Sequence, residues 1–183
     1  MIQSSIGVQP NFQAQLFVRF PCKIFLSKNP FQGLQNEATN EQVFSFLKRR
    51  FTHVISLLES DSLYQAYLSR DINAEHLPIS RLELPEEDKL RDLICRIAEI
   101  VKENPHAKIL IHSENGTDRN LVVAACVYKF FCKSDGRKAM AVLPRAIKNR
   151  RQIEFIENYG STKPVDTAME EVDFDLKRGY ESQ

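Results

Sequence analysis

AKILIHSENGTDRNLVVAACVYKFF, residues 107–131, decides how this chain reads. Ala107 to Ser113 form a compact apolar run of strand length, and the polar loop ENGTDR, residues 114–119, follows at once. NLVVAACVYKFF, residues 120–131, is then apolar on nearly every side, as a helix buried in a core must be. A strand that hands over to a helix through such a loop turns successive backbone N–H groups inward, and the helix's first amides point the same way. That is the geometry of a phosphate cradle. Gly116 permits the tight curl because it has no Cβ, and Arg119, at the helix start, carries a planar fork that can clamp two phosphate oxygens. The candidate anion-binding residues are Ser113, Glu114, Asn115, Gly116, Thr117, Asp118 and Arg119, with His112 supporting the loop from the strand. Read as an ordinary strand-to-helix turn instead, the same residues leave His112 bonded to the loop and Arg119 paired with Glu114 or Asp118.

Outward from this segment, strands and helices interleave. LFVRF (16–20) and KIFL (23–26) read as strands, and TNEQVFSFLKRR (39–50) as a helix with Thr39 and Gln42 forming a capping box. THVISLL (52–58) is a strand, SLYQAYLSR (62–70) a short helix and AEHLPI (74–79) a further strand. From Pro85 to about Asn104, the residues Leu90, Leu93, Ile94, Ile97, Ile100 and Val101 recur at three- and four-residue steps, giving a helix with one buried stripe. Pro85 suits its first turn, and Glu86, Glu87 and Asp88 complement the positive end of its dipole. Helices over 136–149 and 152–159 close the domain. The fold class is therefore α/β: a single domain with a central, mostly parallel, twisted sheet flanked by helices. Ligands are expected at the carboxyl ends of its strands.

A chain of 183 residues, 43% hydrophobic and 27% charged, suits one domain with a real core. With 25 basic and 24 acidic residues the formal charge is +1, so no overall field draws it to nucleic acid or an anionic membrane; such a partner needs a local patch. No apolar run reaches the roughly 18 to 20 residues of a membrane span, and MIQSSIGVQPNFQAQ lacks the features of a signal peptide, which predicts a cytoplasmic or nuclear protein. Cys22, Cys95, Cys126 and Cys132 show no C-x-x-C pair and no histidine at ligand spacing, so neither zinc nor a disulfide framework is expected, nor any other metal or cofactor. Residues 1–15 read as a flexible leader, 16–159 as the folded domain and 160–183 as an acidic, flexible tail in which Tyr180 is a candidate phosphorylation site. Lys48, Arg49 and Arg50, like Lys148, Asn149, Arg150 and Arg151, read as solvated helix ends or as a basic patch for a phosphorylated partner. Phe44, Phe46, Phe130 and Phe131 read as packing.

The spacing His112-Ser113-x-x-Gly116-x-x-Arg119 resembles the H-C-x-x-G-x-x-R signature of the cysteine-dependent protein phosphatases, with serine at the cysteine position. The order of elements over 16–159 is similar too, nearest in layout to the small cyclin-dependent-kinase-associated and atypical dual-specificity phosphatases. In that family a thiolate attacks phosphorus. A serine hydroxyl is far less acidic than the ~8.5 of a free thiol, and the family site holds no base for it. The resemblance also implies a general-acid aspartate on the loop after the preceding strand, where this chain has Arg81, although Glu83, Glu86, Glu87 or Asp88 offers a carboxylate if the loop is built differently. It places Asp118 where active members commonly carry a hydroxyl residue, and with Glu114 it adds negative charge beside the anion site. Three chemical roles thus look altered together, which implies a pseudophosphatase that binds a phosphorylated protein, or a kinase or phosphatase partner, or serves as a regulatory scaffold. An active or formerly active phosphatase with a natural or engineered Cys→Ser replacement, and an interaction module that binds no phosphate, are the alternatives.

Overall fold

The computed structural model describes residues 13–19 and 21–160. The expected leader and tail fall chiefly outside these residues, as do Phe20 and Tyr180. Among the described residues the chain forms β1 (Gln15–Val18), β2 (Lys23–Lys28), α1 (Glu37–Arg50), β3 (His53–Ser56), α2 (Ser62–Leu68), β4 (Ala74–His76), α3 (Glu87–Glu103), β5 (Lys108–Ser113), α4 (Asp118–Phe131), α5 (Gly136–Ala141) and α6 (Arg150–Asn158).

The strands form one sheet in the order β1-β2-β5-β3-β4, antiparallel only where β1 meets β2. Side chains alternate between its faces with the period of two that a strand imposes. On one face Ile24, Leu26, Ile55, Ile109 and Ile111 pack beneath α3, α4, α5 and α6. On the other, Val54 and Leu110 meet Val43, Phe44 and Leu47 of α1 and Tyr67 of α2. Because both faces are covered, β5 is buried continuously from Ile109 to Ser113 instead of alternating. The α/β class read from the sequence is the observed one.

Several boundaries differ from those expected, each for a local reason. Asn36, not Thr39, caps α1: its Oδ1 accepts the Ala38 N–H at 2.8 Å, and Thr39 lies within the helix. Pro85 stands ahead of the α3 cap residue Glu86 and is itself buried, so it ends the preceding connection. The fifth helix stops at Ala141 instead of Asn149, because Pro144 supplies no N–H and disfavours helical backbone at the residue before it. Asn149 then caps α6, accepting the Arg151 N–H at 2.9 Å, so Arg150 and Arg151 open a helix and oppose its dipole. The basic run therefore does not complement a helix end as expected.

Lys129, in the last turn of α4, sends its ammonium to the carbonyls of Ile156 (3.1 Å), Glu157 (2.8 Å) and Tyr159 (2.6 Å). It thereby caps the carboxyl end of α6, whose last carbonyls lack helical partners. Replacing Asn36 by alanine is expected to cost about 1 kcal/mol in urea denaturation, and Thr39→Ala to stay within about 0.5 kcal/mol of the parent. Equal losses from the two would restore Thr39 to the capping role.

Candidate anion-binding site

The buried polar side chains gather in one place. Ser27, Ser56, His112, Ser113 and Asn120 lie at the carboxyl ends of β2, β3 and β5 or in the first turn of α4. In register, Ser27 and Ser56 flank His112 from the two neighbouring strands, and Lys28 flanks Ser113. Polar groups are kept out of a core unless partnered, so this row marks the edge of the sheet where a polar ligand is expected.

Ser113 ends β5 with 1% of its surface exposed. The chain then curls through Gly116 at φ +68°, where a Cβ would stand 2.5 Å from the Lys28 nitrogen and 2.8 Å from the Ser27 carbonyl carbon. Only glycine fits against that backbone. From β2 the loop is also held by Asn29, whose N–H donates to the Glu114 carbonyl at 3.3 Å and whose Nδ2 lies 3.5 Å from Glu114 Oε2. Thr117, the cap position of α4, donates no side-chain acceptor to the helix's first amides.

Below the loop, His112 is fully buried with Nε2 3.0 Å from the Tyr67 hydroxyl. Loss of water pushes its pKa down to about 3, with neighbouring His76 pushing the same way, so the ring is neutral. Burial likewise raises the Tyr67 hydroxyl far above its ordinary range. Burial thus opposes both protonation of His112 and deprotonation of Tyr67. His76 in turn stacks on Tyr64 with ring centroids 5.5 Å apart, and its Nε2 meets the Leu58 carbonyl at 2.8 Å. Asn120 Nδ2 donates to the carbonyls of Ser27 at 2.7 Å and Ile111 at 3.4 Å, tying α4 to two strand ends. Its Oδ1 and the Nδ1 of His112 are buried without a protein partner.

The sequence candidates divide accordingly. Arg119 donates from Nη1 to the Ile79 carbonyl at 2.9 Å, and among the described residues it forms no ion pair with Glu114 or Asp118. The ordinary-turn reading of that arginine is thus replaced by a tie to the connection after β4. Asp118 is exposed, whereas Asn120 is the side chain buried beneath the loop, so the polar group that matters in the first turn of α4 is two residues later than expected. Glu114 and Thr117 are half-buried and Asn115 is exposed. Arg81 is exposed, and its backbone N–H donates to Glu59 Oε1 at 2.8 Å. Glu83 is exposed, Glu86 pairs with Lys89 at 2.9 Å, Asp88 pairs with Arg91 at 2.9 Å, and Glu87 lies in the exposed first turn of α3. Tyr67, Asn120 and Glu59 escaped the sequence reading. Asn120 alone left a signal, as the polar residue in an apolar helix. No group of three metal-ligating side chains converges among the described residues.

Solved structures that superimpose on this chain include phosphatases. A kinase associated phosphatase carrying serine in place of its catalytic-site cysteine aligns with TM-score 0.66 at 17% identity, over 84% of this chain and 96% of that one. Tk-PTP in its active form gives 0.62 at 21% identity, over 76% and 92%. The fold is that of the dual-specificity and tyrosine phosphatases. The core catalytic domain of the PP-IP phosphatase SIW14 from S. cerevisiae, bound to citrate, gives 0.56 at 17% identity, over 93% of both chains. No protein-family model matches the sequence, and no curated protein matches it. At these identities the likeness is one of fold. Within this phosphatase fold, His112 is a neutral buried strut.

That neutrality has a pH signature. The folded pKa near 3 lies below the unfolded value of 6.5, so the unfolded chain binds the extra proton first. The contribution is complete above pH 6.5 and is lost as pH falls toward 3, at up to about 1.4 kcal/mol per pH unit. In NMR titration the folded His112 ring should remain neutral at pH 5. A ring titrating near 6.5 would contradict the burial.

Proposed function

We propose that this domain is a catalytically silent phosphatase fold that binds a phosphorylated protein through residues 113–119, acting as a regulator or scaffold for that protein or for the kinase or phosphatase that works on it. The observation that carries the reading is Ser113, buried where the resemblance puts the nucleophile, at the head of a loop that Gly116 curls against β2. Ser113 has a hydroxyl that the field of the loop cannot ionise at neutral pH, because its intrinsic acidity is many units weaker than a thiol's. The histidine beside it in sequence is engaged with Tyr67, and burial so disfavours its protonated form that it makes a poor base. At the position expected for the proton donor to a leaving oxygen stands an exposed arginine, Arg81.

Anion binding needs none of those groups. It draws on loop amides, the start of α4 and the Arg119 fork, of which the Ile79 carbonyl occupies one nitrogen. Asp118 faces water, where its charge is screened, so it opposes an anion less than the spacing alone suggests. Four free cysteines suit a reducing setting, and we place the work in the cytosol or nucleus.

Turnover of p-nitrophenyl phosphate tests the silence. The wild type should give none. Ser113→Cys alone should remain at least about a hundredfold below Ser113→Cys combined with Arg81→Asp, since a positioned general acid contributes roughly that much or more. Full activity from the single replacement would mean that only the nucleophile was missing, and would favour a phosphatase with a replaced cysteine.

A further inference from the structure

Residues 137–151 contain Arg137, Lys138, Arg145, Lys148, Arg150 and Arg151 and no acidic residue, in a chain whose formal charge is only +1. All six are exposed. Arg137 lies 3.6 Å from Glu157, Lys138 3.5 Å from Asp135, and Arg150 2.7 Å from Glu154. Arg145, Lys148 and Arg151 form no ion pair among the described residues. Arg150 and Arg151 open α6, which has no acidic residue in its first turn, so their charge opposes the helix dipole. Local stability does not explain charges placed there.

The packing carries this cluster toward the mouth of the anion site. The carboxyl end of α6 sits at the far end of α4, where Lys129 holds its carbonyls. The start of α5 is at that end too, with Gly136 against the backbone of Glu157. Hence α5 runs back toward the loop, and 142–149 joins it to the start of α6 on the loop's side. Lys129 is eleven residues below Asp118, roughly 16 Å at a helical rise of 1.5 Å, and Arg150 is nine residues above Tyr159, roughly 13 Å. Because α6 packs along α4, these lengths bring its first turn to about the level of the first turn of α4, at the end where residues 113–119 lie. Leu143 and Ile147 of the joining segment pack on the core, which presents Arg145 and Lys148 outward.

We propose that Arg145, Lys148 and Arg151 form an accessory site for the acidic residues that flank a phosphorylated side chain seated in the cradle. The occupant is an acidic peptide segment of a protein partner. A confined cluster of charges in a nearly neutral chain matches a short segment at close range, whereas a membrane plane or a nucleic acid calls for a broad positive field. The acidic-flank preference rests on the phosphoprotein-binding reading above; the charge site itself does not.

Fluorescence anisotropy at low and high salt tests it, using a phosphotyrosine peptide flanked by Asp and Glu, the same peptide flanked by Asn and Gln, and the acidic peptide without phosphate. The proteins are the wild type, Arg119→Ala, and the triple variant Arg145→Glu, Lys148→Glu, Arg151→Glu, whose melting temperature should be no lower than the wild type's, because all three side chains face water and a glutamate at 151 suits the α6 dipole. The wild type should favour the acidic-flanked phosphopeptide at least tenfold over the neutral one. The triple variant should lose that preference, and Arg119→Ala should weaken both phosphopeptides alike. Equal affinity for the two phosphopeptides on the wild type overturns the accessory site and leaves the phosphate cradle standing. Binding of the unphosphorylated acidic peptide alone, abolished in the triple variant, upholds the charge site and removes the phosphate reading. Binding to phosphatidylserine vesicles with none to any peptide overturns it in favour of a lipid surface.

Discussion

The loop between β5 and α4 closes where a side chain is missing. Gly116, at φ +68°, rests directly on the backbone of Ser27 and Lys28, and a Cβ there would meet backbone atoms at 2.5 to 2.8 Å. That contact sets the curvature of the loop and hence the direction of its amides. It requires β2 to lie parallel beside β5 with Lys28 level with Ser113, which the sheet order provides. The sheet in turn rests on apolar cores on both faces, in which Ile109 and Ile111 point one way and Leu110 the other. The two cores thus hold the loop in position through β2 and β5.

Chemistry in such a cradle depends on which groups are allowed to carry charge. Burial keeps His112 and Tyr67 neutral and mutually bonded, so the floor of the site is a support. Asn120 performs a related task, tying the carbonyls at the ends of β2 and β5 to the first turn of α4. Arg119 carries the positive charge beside the loop, and the Ile79 carbonyl links it to the connection that also bears Arg81.

Much of this was legible from residues 107–131, because a two-faced parallel strand, a polar loop and an all-round apolar helix each leave a distinct local pattern. The α/β architecture followed from that pattern and the interleaving of elements around it. The relations that span many residues were hidden. Tyr67 reaches His112 across 45 positions, Asn120 reaches Ser27 across 93 and Glu59 reaches the backbone of Arg81 across 22, and none of these pairings can be read from local sequence, although Asn120 itself stands out in an apolar helix. Helix ends failed where two signals competed: Asn36 outranked Thr39 as a cap, and Pro144 cut the fifth helix short. Asp118 misled because spacing along a chain does not say which side of a helix turn faces inward, and its neighbour two residues on took the buried place.

The most direct test of the central claim is an amide NMR titration of the wild-type domain with inorganic phosphate, repeated on Arg119→Ala. A retained cradle predicts saturable shifts concentrated on the amides of residues 114–119, greatly weakened in the variant. Amides there that stay unmoved at phosphate concentrations that would reveal millimolar affinity would contradict the account, and the surface that meets a partner would then lie away from the loop.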